Sequence, residues 1–428
     1  MPAAINYEKL KSDYDRLKTG LKELAILNEI ATTINSTLEV DKITGIIVKK
    51  CIKHFHVEQG NISLIKEPEI ARPLQTMVRQ YDSDAGIIPF RIDQQLIGWM
   101  LTKKEPLVIN NLALDQRFGS LARETTYNSI LAVPMLYKGK IIGVLSLFNK
   151  SNLEEFSNAD LRLLTIIATQ SAQVIENARL LEEEKKLYHV IEELKIAGEI
   201  QQQLLPAQLP AIKNYSIAAI NIPAREVGGD YYDVIELENN RYAVCFGDVS
   251  GKGISAGLLM SNIHATMRSL LLSQATPSEC VRKANKLMYA TTTIYNYITF
   301  FHGILDLNDN SFLYCNAGHD APLFIKNGTI NELITGGIPL GVMKDFDYRQ
   351  DRVFFDAEDI LLIYTDGVTE CFDKNENEFK LEQVKKILLE NRLKSPKELK
   401  SSLLKAIGMH SEGMEQMDDI TFMVLKKD

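Results

Sequence analysis

The 428-residue sequence predicts an α+β protein: antiparallel sheets with helices on their faces, in two globular parts separated by a long helix. Three observations predict this. Short β-rich runs follow one another across turn residues, as in SILAVPMLYKGKIIGVLSLFNK, so neighbouring strands pair as hairpins with Gly139 at a turn. Helical stretches fall between groups of strands instead of alternating singly with them, which argues against a parallel sheet. About fifty residues from Ser157 contain no proline and keep helical apolar spacing. The length itself calls for two or three domains of roughly 100–200 residues.

The elements follow in order. Tyr7, Leu10, Tyr14, Leu17, Leu21 and Leu24 alternate in steps of three and four, the seam of a short coiled coil over residues 1–24. Residues 25–175 mix helices with the strand-like runs GNISLI, PLVIN, SILAVPML and KIIGVLSLF and form a first domain. A helical linker occupies 176–206. There Leu180, Leu187 and Leu194 recur every seven residues, with Val190, Ala197 and Leu204 at the companion position. Gly198 and Gln201 weaken that seam; the alternatives are a helix packed on its own domain and a dimeric coil, of which the coil is preferred. Pro206 and Pro210 end the helix.

Residues 207–428 form the last domain. YITFFHGILDLNDNSFLYCNAGHDAPLFIKNGTINEL reads as a β-meander turning at LNDNS and KNGT. Helices are expected near 253–273, 277–291, 379–391 and 396–408.

Composition narrows the function. With 45% hydrophobic and 24% charged residues the chain is globular, and a net charge of −8 argues against a nucleic-acid or anionic-membrane partner. The amino terminus lacks a signal-peptide core and no apolar run reaches about 18 residues, so a cytoplasmic protein is expected. Cys51, Cys245, Cys280, Cys315 and Cys371 are scattered, as reduced and mostly buried thiols would be.

FGDVSGKGIS, residues 246–255, has the look of a phosphate-binding loop. It fails the test, because only three residues separate Gly247 from Gly251 and Gly253 replaces the hydroxyl residue after Lys252. Asp248 instead belongs to a set: Asp230 in REVGGDYYDV, Asp366 in ILLIYTDGVTE, and Asp418 with Asp419 in QMDDITFMVL, each at the end of an apolar strand-like run. Any one alone reads as a turn residue. Together they would repel unless cations neutralised them, and hard oxygen donors suit magnesium or manganese. Asp233 lies three residues from Asp230 and on a strand points to the other face, so it is assigned a structural or supporting role. Arg225 suits phosphate, against the alternative of a solvated side chain. Lys252 is expected to be exposed, and His319 to be a turn histidine held by backbone more than a proton donor.

Arg225 with VGGDYYD, GDVSGKG, NAGH, YTDGVTE and DDIT, in that order, resembles the metal-dependent serine/threonine phosphatases (PPM, type 2C) in their SpoIIE-like branch; EIQQQLLP resembles the segment leading into that domain in sigma-factor regulatory phosphatases. The resemblance implies an α-β-β-α sandwich and two Mn2+ or Mg2+ ions that activate water for in-line attack on phosphorus. Residue by residue it implies Asp248 bridging both ions, the Val249 carbonyl on one, Asp366 and Asp418 on the other, Asp230 holding bound water, and Arg225 gripping phosphate. Asp233, Asp419 and His319 would support them. Where eukaryotic members carry a histidine two residues after the bridging aspartate, this chain has Ser250, which leaves the acid for the leaving group unassigned.

Residues 20–180 resemble a GAF sensor domain; Asn149, Lys150, Phe156 and Asp160 partly match a motif of cyclic-nucleotide-binding members, with Leu161 in place of its final acid. The expected function is a signal-regulated phosphoserine/phosphothreonine phosphatase. Its substrate would be a STAS-type anti-sigma-factor antagonist, its signal a small molecule or protein at the GAF domain, and its assembly a coiled-coil homodimer. The alternative is a non-catalytic dimeric sensor using the domain as an interaction module, which would be expected to have lost metal ligands; none is missing.

Overall fold

The structure, a computed structural model, describes residues 39–65, 74–80, 98–118, 127–151, 154–273, 275–292 and 296–428, with scattered positions between 7 and 25. It divides into two compact units, Met1–Tyr188 and His189–Asp428. Of the first seam, Tyr7, Leu10, Tyr14, Leu17 and Leu21 are exposed and helical; Leu24 lies outside the described residues.

In the first unit, helix α1 (Val40–Phe55) turns Ile43, Ile47, Val48, Cys51, Ile52 and Phe55 inward at helical spacing. It precedes β1 (Val57–Ile65) and β2 (Leu74–Gln80), then β3 (Leu107–Ile109), β4 (Ile130–Tyr137) and β5 (Lys140–Lys150). The sheet order is β2-β1-β5-β4-β3, antiparallel throughout. The β4–β5 hairpin turns at Lys138 and Gly139, whose φ of 47° and 80° suit a turn that Gly139 adopts without strain. Helix α2 (Asn158–Gln202) is continuous for 45 residues. Its first half packs Leu164, Ile167, Ala168 and Ile175 against Ile62, Leu131, Leu145 and Leu147 of the sheet. Each such fully buried aliphatic side chain contributes about 1.5–3 kcal/mol. Asp160, in the first turn of this helix, accepts from the Ser157 amide at 2.8 Å and pairs with Lys150 at 2.6 Å.

The second unit is built on β6 (Tyr215–Ile222), β7 (Tyr231–Leu237), β8 (Arg241–Val249), α3 (Ile254–Leu271), α4 (Pro277–Thr291), β9 (Ile298–Asp306), β10 (Ser311–Ala317), β11 (Leu323–Lys326) and β12 (Thr329–Glu332). It continues through β13 (Gly336–Gly337), β14 (Asp351–Phe354), β15 (Ile360–Tyr364), α5 (Lys380–Glu390), α6 (Pro396–His410) and β16 (Ile420–Lys427). One sheet runs β13-β10-β9-β8-β7 with β14 also on β10; the other runs β12-β11-β15-β16-β6. The four helices fall where the sequence places them. Proline at the first helical position and a capping box open α6, where the Ser395 amide donates to Glu398 at 2.9 Å.

Alternation along the second sheet defines the layers. Phe324, Leu361, Ile363, Met423 and Leu425 share a core with Phe246, Phe301 and Phe312 of the first sheet and with Met260 and Ile263 of α3. Leu323, Leu362, Phe422 and Val424 point the other way, onto Val384, Leu388, Leu399 and Leu403 of α5 and α6.

The meander is corrected. β9 pairs with β10 and β11 with β12, but β10 and β11 lie in different sheets, with β11 bonded to β15. Two hairpins in succession have the same local pattern whether the chain stays in one sheet or crosses to another. The crossing segment is GHDAP, residues 318–322. All five cysteines are free thiols, four of them buried. Among the described residues no helix is long and apolar enough to cross a membrane.

Candidate active site

Two strand pairs, one from each sheet, open toward the same edge. Tyr231 of β7 is opposite Gly247 of β8, so Asp230 and Asp248 emerge side by side. Tyr364 of β15 is opposite Phe422 of β16, which places Asp366 just past one strand and Asp418 and Asp419 just before the other. β6 pairs with β16 up to Ile222, and the chain then crosses to β7 through residues 223–230, carrying Arg225 over this edge. The resulting cleft is lined by Arg225, Gly229, Asp248, Lys252, Asp418 and Asp419 among others.

Its electrostatics are those of crowded carboxylates. Asp230 is 3% exposed, and burial, then the charges of Asp248 and Asp419, hold its carboxyl well above the usual range. Asp248 is pushed up to about 7 by burial and by the charges of Asp366 and Asp418, against the pull of a hydrogen bond from Asp230. Asp366 is raised for the same reasons, burial first and Asp418 second. Crowded carboxylates with only oxygen donors have the chemistry that fits a hard divalent ion. Among the described residues no three His, Cys, Asp or Glu side chains already converge as a ligand cluster. Their partners lie within the chain: Thr365 donates to Asp230 at 2.9 Å, and Asp418 pairs with Lys252 at 2.8 Å while accepting from the Asp419 amide at 2.9 Å.

The two adjacent aspartates therefore differ. Asp419, 8% exposed, is a clamp: one oxygen accepts from the Ala224 amide and the other from the Gly229 amide, each at 2.7 Å. These bonds fix both ends of the loop that presents Arg225. Gly228 is required there, since a Cβ would lie 2.6 Å from an Asp419 oxygen. Arg225 is exposed within the cleft wall.

Asp233 lies apart from the site. Fully buried, it takes two bonds from Arg268 of α3, both at 2.9 Å, and one from the Tyr231 hydroxyl at 3.4 Å. His319 is 6% exposed; its backbone and Asn316 exchange hydrogen bonds, and its Nδ1 meets the Thr299 hydroxyl at 2.9 Å. Burial holds its imidazole down to about 4 against the opposing pull of the Tyr364 carbonyl. It is a neutral structural histidine at physiological pH.

Three participants escaped the sequence reading. Lys252, expected to be simply exposed, has its ammonium in the cleft on Asp418. Thr365 precedes Asp366 and holds Asp230. Gln201, which looked like a flaw in the helical seam, is 8% exposed; its amide donates to the Gly228 carbonyl at 2.7 Å and accepts from the Gly228 amide at 3.0 Å. Gly198, the other flaw, lies so close to Glu226 that a Cβ would meet its carbonyl. The seam is interrupted where the helix docks on the loop that presents Arg225. The signal was present as a polar residue and a glycine one turn apart, but their partners lie far along the chain.

Residues 238–428 match the family described as Stage II sporulation protein E (SpoIIE), and residues 37–176 match the GAF domain. The chain is 30% identical over 239 residues to the phosphoserine phosphatase RsbU of Bacillus subtilis, covering 55% of this chain and 70% of RsbU. It is 24% identical over 240 residues to the phosphoserine phosphatase RsbP of the same organism, covering 54% of this chain and 57% of RsbP. Among solved structures, the SiaA-PP2C domain of Pseudomonas aeruginosa superposes with a TM-score of 0.51 at 18% identity, over 57% of this chain and 99% of that domain; this likeness establishes the fold of the second unit. The chain belongs to the SpoIIE family of phosphoserine phosphatases and carries a GAF domain ahead of its phosphatase domain.

Proposed function

We propose that this chain is a metal-dependent phosphatase that removes phosphate from phosphoserine or phosphothreonine on a folded partner protein, under control of its GAF domain. The observation that carries the reading is the meeting of Asp230, Asp248, Asp366 and Asp418 from two sheets at one open edge, beside an exposed arginine. Asp248, the Val249 carbonyl, Asp366 and Asp418 would hold two Mn2+ or Mg2+ ions, with Asp230 beside them. When bound, the ions would supply positive charge to the phosphoryl oxygens and lower the pKa of water. Arg225 binds the phosphate through its guanidinium fork, and the Asp419 clamp keeps that arginine's loop in place. His319, neutral and behind Thr299, is a poor source of a proton for the leaving alcohol.

The cleft is shallow and framed by short loops, which suits a phosphorylated side chain offered by another protein more than an enclosed metabolite. The similarity to the phosphoserine phosphatases RsbU and RsbP supports a phosphoserine substrate, and the motif resemblance implies a STAS-type anti-sigma-factor antagonist in a cytoplasmic partner-switching pathway. Leu180, Leu187 and Val190 are exposed on α2 at heptad spacing, which supports a homodimer through residues 176–206. Helix α2 begins within the GAF match and ends at Gln201 on the catalytic loop, a route by which a sensed signal reaches the site. The test is to incubate the protein and Mn2+ with phosphorylated STAS proteins of its own organism and follow phosphate loss by intact mass. If none reacts faster than an unrelated phosphoprotein, the substrate assignment fails.

A further inference from the structure

Lys252 stands at the tip of the turn after β8, between Gly251 and Gly253, whose φ values of 90° and 77° are in the left-handed region that glycine tolerates. Its ammonium lies 2.8 Å from the Asp418 carboxylate and also donates to the Met417 carbonyl. The other Asp418 oxygen is taken by the Asp419 amide. Asp418 is thus presented to a cation, and the cation it meets is part of the chain. The two side chains are 39% and 38% exposed, so the pair is accessible from the cleft. An ion pair so exposed contributes little to stability, about 0–1 kcal/mol, and separates readily.

We propose that Lys252 is a tethered counter-ion of the metal site, which holds Asp418 until a divalent ion takes the carboxylate. Metal affinity is then set by competition between ammonium and ion. The inference rests on the metal-dependent reading above and goes beyond it by giving the turn's lysine a part in metal uptake. The flanking glycines let the side chain withdraw without moving Asp248 at the end of β8.

The experiment is calorimetric titration of the full chain with MnCl2, comparing wild type, Lys252→Met, Lys252→Gln and Lys252→Arg. Removing a unit positive charge beside a partly solvated ion should tighten Mn2+ binding about tenfold in the methionine and glutamine variants. The arginine variant, which keeps the charge, should stay within about twofold of wild type. The two neutral variants provide independent readouts should one misfold. Binding in both that is no tighter than wild type overturns the proposal, as does equal tightening by arginine. Such a result leaves the metal-dependent reading intact, because wild type still binds. If wild type takes up no Mn2+, both fall.

Discussion

Asp418 and Asp419 are neighbours that should respond oppositely to the same substitution. Asp419→Asn keeps the size of the side chain but replaces one of two acceptors with a donor. The structure gives Asp419 two amide bonds of 2.7 Å in a nearly closed environment, so one of them must be lost and one N–H left facing an NH2. Hydrogen bonds to a charged group are worth about 1.5–3 kcal/mol each, and stranding a buried donor costs about 1–3 kcal/mol. A loss of about 3 kcal/mol follows. For a unit of this size each kcal/mol shifts Tm by about 2–4 °C, so the melting transition of the second unit should fall by roughly 6–12 °C. Asp418→Asn, in a side chain 38% exposed and bonded to a surface lysine, should move Tm by no more than about 4 °C while weakening Mn2+ binding. Scanning calorimetry in chelator, followed by Mn2+ titration, reads both effects. If Asp419→Asn melts with wild type, or if both variants lose stability equally, the clamp is not what holds the Arg225 loop.

Leu187→Glu with Leu194→Glu places like charges on the α2 seam and should reduce the mass in light scattering from about twice the 48.3 kDa chain to a single chain; unchanged mass refutes a dimer through this seam. A fragment beginning at Leu205 lacks Gln201 and with it both Gly228 bonds, so its turnover should fall about fivefold or more below that of the full chain. Equal turnover would show that the helix end does not act on the loop. His302 is fully buried and held down to about 4 from 6.5 by burial. Below 6.5 the unfolded chain takes a proton that the folded one refuses, so its contribution is complete above that pH and is lost as pH falls toward 4. Raised carboxylates such as Asp248 act in the opposite sense, so the effect is isolated by comparison with His302→Asn. Urea midpoints should show wild type losing about 2 kcal/mol relative to that variant between pH 7.5 and 5, and a constant difference would contradict the burial argument.

Much of this fold is written locally. The β4–β5 hairpin and the long proline-free helix depend on residues a few positions apart, and the sequence places both. The aspartates were also legible, because each lies at the end of an apolar strand-like run and three of the four sites have glycine beside them. Long-range facts were not. That β10 and β11 part into different sheets depends on which neighbour each finds, which hairpin spacing does not encode. Lys252 and Asp418 meet only once β8 and β16 are in place, so a lysine in a glycine-rich turn reads as solvated. Gln201 shows the same limit on a helix, where a polar residue at a seam position looks alike facing water or a catalytic loop. Asp233, given a structural or supporting role from the sequence, is held by Arg268 on α3, a partner that was not foreseen.

The central claim is that carboxylates from two sheets jointly hold the ions that drive phosphate ester hydrolysis. It is tested most directly by following p-nitrophenyl phosphate turnover with Mn2+, with excess chelator, and with Asp248→Asn. Asp248 lies between Asp230 and the pair Asp366 and Asp418 in the network of interacting carboxylates. Turnover should need Mn2+ or Mg2+, be abolished by chelator and restored by added metal, and fall on the order of 10³-fold in the variant, a loss of several kcal/mol of charge stabilisation. Turnover that persists in chelator, or an Asp248→Asn enzyme as fast as wild type, would contradict it.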